Sequence, residues 1–249
     1  MSAIGSIYAK EVKDNLSLWY AKFPIGESIV LGDFGLINDF LFERLGNITK
    51  KFGIKFDTRS GGDVSQLNFA SHKGVAVAFH AKVNQPGGVP IRAGVDFDFT
   101  SEDALYFNCA GCTAESVEDQ VALGDQILRL MNDGKWDKKF AVVTTLMHAE
   151  SSTIVMSASS SASLKLQADS DAISSINMGD ASLKLEVTMQ RDLAIQIVTQ
   201  GKLTPLLGLS GIHGSIFDDD TFGPDAGLLS KGRKQLKLPP LSFGNLITR

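Results

Sequence analysis

IRAGVDFDF, residues 91–99, decides the fold class: Ile91, Ala93, Val95, Phe97 and Phe99 fall on one side, and Arg92, Gly94, Asp96 and Asp98 on the other. An extended strand turns successive side chains to opposite faces, so this alternation describes a strand with one buried and one wet face. The preceding run, 75–83, repeats the pattern with Val75, Val77, Phe79, Ala81 and Val83 on one face. Between the two runs lies 84–90, with Pro86, Gly87 and Gly88, and the three pieces read as a β-hairpin with a seven-residue loop.

The pattern returns downstream. Ile154, Met156 and Ala158 lead through the serine-rich stretch 157–163 to Ala162, Leu164, Leu166 and Ala168, which oppose Ser163, Lys165 and Gln167. Ala181, Leu183, Leu185, Val187 and Met189 then oppose Ser182, Lys184, Glu186, Thr188 and Gln190. Gln190, Arg191 and Asp192 are expected to turn the chain into Leu193, Ile195 and Ile197, making a second hairpin region. Residues 140–147 are apolar and β-branched on both sides, which predicts a central strand covered on both faces.

Two helices interrupt the strands. Residues 3–16 place Ile4, Ile7, Tyr8, Val12 and Leu16 at helical spacing opposite Lys10, Lys13 and Asp14, with Ser2 as a cap. Residues 115–133 carry Ser116 as the expected N-cap and Glu118 and Asp119 in the first turn. Their apolar stripe is Val117, Val121, Ile127, Leu128 and Met131, and Gly134 follows the last turn. Segment 17–56 is rich in aromatic residues and turns and predicts short strands, with a helical turn over 39–45; Gly61 and Gly62 mark a loop. Beyond Gly201 the patterning fades. The expected fold is therefore α+β: a twisted antiparallel sheet with two main helices over 1–230 and an irregular C-terminal tail over 231–249.

Composition narrows the function classes. The chain has 249 residues and a formal charge of −4, the reverse of the basic excess that marks a nucleic-acid binder, so no nucleic-acid partner is expected. Hydrophobic residues make up 43%, enough for a core and too many for a disordered chain. Lys10, Glu11, Lys13 and Asp14 break up any signal-peptide core, and Ser2 stands where N-myristoylation needs glycine. With two cysteines only, the expected compartment is the reducing cytoplasm.

Local motifs for chemistry are weak. Cys109 and Cys112 form a CxxC, whose redox use requires a thiol at a helix N-terminus, whereas the expected cap, Ser116, lies beyond both; two buried structural thiols are the expectation. His72, His80, His148 and His213 stand singly, without the grouped ligands of a zinc site. Asp218, Asp219, Asp220 and Asp225 lack the closing glutamate of a calcium loop, so no metal or other cofactor is expected. Gly208-Leu209-Ser210-Gly211 is not a nucleophile elbow, and no phosphate-cradling glycine motif occurs, leaving no positive argument for an enzyme.

The alternating strands run for about nine residues, close to the roughly 9–11 that a tilted strand needs to cross a bilayer. In their order the elements resemble the N-terminal pore-forming domain of the gasdermin family: leading helix 3–16, hairpin 75–83 and 91–99, helix 115–133 ending at Asp133-Gly134, the Val142-Val143-Thr144-Thr145 strand, then 153–168 and 181–199. The resemblance spans about three quarters of the chain as topology and carries no diagnostic motif; unlike the bacterial members, this chain has no cysteine near its N-terminus.

The resemblance implies a cytoplasmic cell-death effector, of the kind used in bacterial defence, that is held inactive by its own tail. An activating protease would release it, and it would then insert two hairpins per subunit into membrane lipid as a homo-oligomeric pore. On this chain, Lys231, Arg233 and Lys234 offer cleavage sites, and Leu241, Phe243 and Leu246 would cover an apolar surface until cleavage. Membrane contact would fall to Ile4, Ile7, Tyr8, Lys10 and Lys13 on the first helix. Val77, Phe79, Val95 and Phe97 would face lipid in one hairpin, with Leu164, Leu166, Leu183 and Leu185 in the other. A charge at Phe97 or Leu185 is then expected to abolish leakage and spare the soluble fold. The pore reading requires ribbons not covered on both sides. A soluble β-rich binding module, contacting its partner through 84–88 and 157–163, is the alternative that the same strands allow.

Overall fold

The computed structural model describes residues 3–71, 74–82, 92–168, 185–199, 201–214 and 220–224. In chain order they form α1 (Ala3–Asn15), β1 (Tyr20–Ala21), β2 (Asp33–Asn38), β3 (Leu41–Asn47), α2 (Ile48–Phe52), β4 (Thr58–Ala70), β5 (Val75–His80), β6 (Ala93–Phe99) and β7 (Leu105–Val117). Then come α3 (Gln120–Asn132), β8 (Ala141–Ala149), β9 (Ser151–Ser157), β10 (Ser163–Ala168), β11 (Glu186–Arg191), β12 (Leu193–Thr199), β13 (Leu203–His213) and β14 (Thr221–Pro224). The fold is α+β, with every strand pair antiparallel. A ten-stranded sheet has the central order β1-β13-β8-β7-β9-β12, and a four-stranded sheet has the order β11-β10-β6-β5.

The long strand β7 organises the larger sheet. One edge pairs with β4 along its length, while the other pairs first with β9 (Leu105 opposite Met156) and then with β8 (Thr113 opposite His148). The handover falls at Gly111, whose φ of +59° and closeness to the Glu150 side chain, 2.7 Å from where a Cβ would stand, make any larger residue strained. Strand β8 is central, with Ala141, Val142, Val143, Leu146, Met147 and Ala149 all buried, as its unbroken apolar run predicts.

Each face of the larger sheet has its own cover. Tyr8, Ala9 and Val12 of α1 pack with Leu105, Phe107, Cys109, Ile154 and Met156 on one face. On the opposite face of the same strands, Tyr106 and Val155 pack against the smaller sheet. Leu123 and Ile127 of α3 pack at the other end of the sheet with Phe34, Val117, Trp136 and Val142.

Several sequence expectations are corrected. Residues 39–45 hold a tight hairpin turn and β3, not a helical turn: Asp39 and Phe40 both have positive φ, 48° and 63°, the conformation of a two-residue turn between twisted strands. Gly61 and Gly62 lie inside β4, at a shift in its pairing with β7 between Ser60 and Asp63, not in a loop. The third helix begins at Gln120. Its cap is Asp119, whose side chain accepts the Ala122 N–H at 2.8 Å, because Ser116 still pairs in the sheet and Val117 is needed in the core. Val121, expected on the packed stripe, is 77% exposed. Gly134 does follow the helix with φ +70°.

Two more corrections concern the C-terminal half. Asp192 is a corner between sheets and not a hairpin turn, since β11 pairs with β10 in the smaller sheet and β12 with β9 in the larger. Its φ is +50°, and its carbonyl accepts the Ala158 N–H at 2.8 Å. Beyond Gly201, β13 is a mostly buried strand between β1 and β8; Pro205, Gly208, Ser210 and Gly211 hide its periodicity in the sequence.

Candidate functional site

The smaller sheet is made of the hairpin the sequence places at 75–99 and of a second pair, β10 with β11, in place of the expected pairing of 181–190 with 193–197. β5 and β6 pair with Val77 opposite Phe97 and Phe79 opposite Val95, while β10 and β11 pair with Leu166 opposite Val187. The hairpins are joined edge to edge through β6 and β10, with Phe97 opposite Leu164 and Val95 opposite Leu166. Directly opposed residues share a face, so Val77, Phe79, Val95, Phe97, Leu164 and Leu166 form one apolar surface.

That surface faces inward. Val95, Phe97, Leu164 and Leu166 are fully buried, and Val77 and Leu185 pack around them. Beneath lie Tyr106 and Val155 of the larger sheet, with the Phe97 and Tyr106 rings tilted at 4.7 Å between centroids. Burial pushes the Tyr106 phenol well above its ordinary pKa, as expected for a dry interface. At about 1.5–3 kcal/mol for each buried side chain, these four residues hold the sheet down by roughly 6–12 kcal/mol. It cannot leave spontaneously.

The other side of the sheet is wet. The Asp96 carboxylate lies 3.0 Å from Lys165 Nζ across the junction of the hairpins and 3.4 Å from His80 Nε2 within the first. Arg92, just before β6, reaches Glu186 on β11 at 3.3 Å. Exposed pairs of this kind contribute about 0–1 kcal/mol each, so they align the hairpins more than they hold them. The ribbons are covered on one side only. Phe79, Val187 and Met189, on the two outer strands, are already partly exposed.

The first helix divides its expected contact residues. Ile4 is partly exposed, Ile7 is half-buried, and Lys10 is exposed in an ion pair with Asp14 at 2.7 Å. Tyr8 and Lys13 are turned inward: Tyr8 is fully buried against the sheet, and Lys13 Nζ stands 3.6 Å from the centre of the Tyr20 ring. In this conformation neither reaches a lipid surface. In the stretch 157–163, Ser157 and Ser163 are buried, and the Ser157 hydroxyl accepts from the Ala104 N–H at 2.9 Å; only the middle of the stretch is exposed to a partner. Leu183, the loop 84–90, the cleavage residues Lys231, Arg233 and Lys234, and the tail residues Leu241, Phe243 and Leu246 lie outside the described residues.

Cys109 and Cys112 are free thiols within strand β7, in the α1-facing core, and neither is a residue of a helix N-terminus. Burial pushes Cys109 up to about 12, against a hydrogen bond with Ser152 that pulls it down, and pushes Cys112 up to about 11. Such thiols are poor nucleophiles. Because both thiols are held above the ordinary thiol value of 9.0, their contribution to stability is intact below that pH and is lost as pH rises through 11 to 12. At about pH 8 iodoacetamide should leave both unmodified in the native chain and alkylate both in denaturant, read by mass spectrometry; rapid native labelling would contradict their burial.

Among the described residues, no group of three or more histidine, cysteine or acidic side chains is arranged to hold a metal ion. His148 is engaged structurally, between Thr204 Oγ1 at 2.9 Å and Glu115 Oε2 at 3.1 Å. Among the described residues, no helix is long and apolar enough to cross a bilayer. The features missed in the sequence are long-range: the Asp96 bridge, Tyr106 as the floor beneath the hairpins, and the Asp192 corner. No known family model matches the chain, and no curated protein matches it in sequence.

Proposed function

We propose that the chain is a gasdermin-like membrane-permeabilising effector whose closed form stores its two membrane hairpins as the small sheet. One observation carries the reading: two hairpins separated by β7, α3, β8 and β9 in the chain are already hydrogen-bonded into one four-stranded antiparallel ribbon, apolar on one face and wet on the other across β5, β6 and β10. A barrel wall needs this arrangement, because strand pairing satisfies the backbone while side chains alternate between lipid and water. The roughly 6–12 kcal/mol of inner-face burial makes a trigger necessary, and hydrocarbon supplies the compensating environment. Proteolytic release of 231–249 is the proposed trigger, followed by assembly of several copies in the bilayer.

The test is dye leakage from vesicles of anionic phospholipid, using the full chain with a site-specific protease sequence inserted between Ser230 and Lys231. Leakage is expected only after cleavage. A cleaved product that stays monomeric and leaves vesicles sealed would instead support a soluble β-rich interaction module. The burial of Val95, Phe97, Leu164 and Leu166 inside the fold favours that second reading.

A further inference from the structure

In β11 the sequence and the structure disagree. From Ala181 to Gln190 the sequence alternates apolar and polar without a break, which assigns Leu185, Val187 and Met189 to one face. In the structure the pairing shifts by one residue: Leu166 lies opposite Val187, but Lys165 lies opposite Met189 and Leu164 opposite Gln190. Thr188 is the extra residue of a β-bulge, its hydroxyl donating to the Lys165 carbonyl at 3.2 Å. Consequently Met189 is opposed to charged Lys165 on the wet side, 40% exposed, and Gln190 is opposed to buried Leu164. Every residue of β11 is exposed, and among the described residues its only strand partner is β10. A strand so little buried specifies its register weakly, since the core that would penalise a slip barely touches it.

We propose that β11 has a second register, free of the bulge, and that the switch to it is built into opening of the hairpin. This rests on the pore reading above. Continuing the pairing of Leu166 with Val187 puts Lys165 opposite Thr188, Leu164 opposite Met189 and Ser163 opposite Gln190, which restores a continuous apolar face. The slip feeds one residue, about 3.3 Å of strand, into the corner at Asp192, which carries the Asp192 carbonyl away from the Ala158 N–H and lengthens the connection that ties the hairpin to the larger sheet. The bulge also bends an unpaired edge, which suits a closed form that must not pair with other chains prematurely.

Two cysteine pairs in the full chain with the inserted protease site read the register. S163C with R191C is opposed in the closed register, whereas S163C with Q190C is opposed only after the slip; the native thiols are too buried and too weakly acidic to compete. In buffer the R191C pair should oxidise and the Q190C pair should not. With cleaved protein on anionic phospholipid vesicles, the preference should invert by about tenfold or more, a difference of about 1.4 kcal/mol. Inversion with leakage supports the switch and the pore. Leakage with the R191C pair still preferred overturns the switch and leaves the pore reading intact. Inversion without leakage supports the switch and removes the pore, and neither inversion nor leakage removes both.

Discussion

Phe97→Asp is expected to leave no folded chain. Read from the sequence alone, a charge here abolishes leakage and spares the soluble fold; the burial of Phe97 overturns the second expectation. Phe97 is fully buried, opposite Leu164 and Val77 in its own sheet and against the Tyr106 ring of the other. Removing the ring alone costs about 3–5 kcal/mol, and an unpaired carboxylate in the same space adds several more through lost solvation. The sum falls within the whole stability of an ordinary domain, about 5–15 kcal/mol. Circular dichroism and thermal melts should show loss of the cooperative transition for Phe97→Asp, while Phe97→Leu melts a few degrees below the parent. A folded Phe97→Asp chain with an unchanged midpoint would mean that the two sheets are not packed in solution as described.

The same strand shows what the sequence could and could not disclose. Alternation in 91–99 reports that one face is apolar, and it places β5, β6 and β10 correctly because their periods are unbroken. It cannot report what covers that face, since Tyr106 and Val155 come from strands whose own pattern reads as continuous burial. Strand β4 was hidden by its glycines and by edge-strand polarity, and β13 by Pro205 and three small residues, although both are fixed by pairing with long neighbours. The start of α3 is ambiguous in the sequence for a related reason. Ser116 and Asp119 are equally good caps locally, and only the pairing of β7 with β4 decides between them. In β11 the sequence pattern is clear, and it differs from the pairing that the structure shows.

Leu185→Lys is expected to separate folding from membrane activity, which Phe97→Asp cannot do. Leu185 is half-buried at the rim of the apolar surface, next to the fully exposed strand β11, where a lysine stem can lie along the rim with its ammonium in water. The closed chain should therefore melt within a few degrees of the parent. In a bilayer the same position falls on the lipid side of the proposed stave, where lysine costs about 2–4 kcal/mol near the midplane, and the cost recurs in every subunit of a ring. Leakage after cleavage should fall by at least about tenfold, since about 1.4 kcal/mol already corresponds to that factor in an equilibrium. Glu186→Lys, one residue along and on the water-facing side, gives the matched control: it exchanges an exposed ion pair with Arg92 for an exposed like-charge contact worth at most about 1 kcal/mol, so leakage should persist. Equal leakage from Leu185→Lys and its control would show that this face never meets hydrocarbon. The four-stranded ribbon would then be a wall of a soluble fold, and the exposed strand β11 would be the natural place to seek its partner.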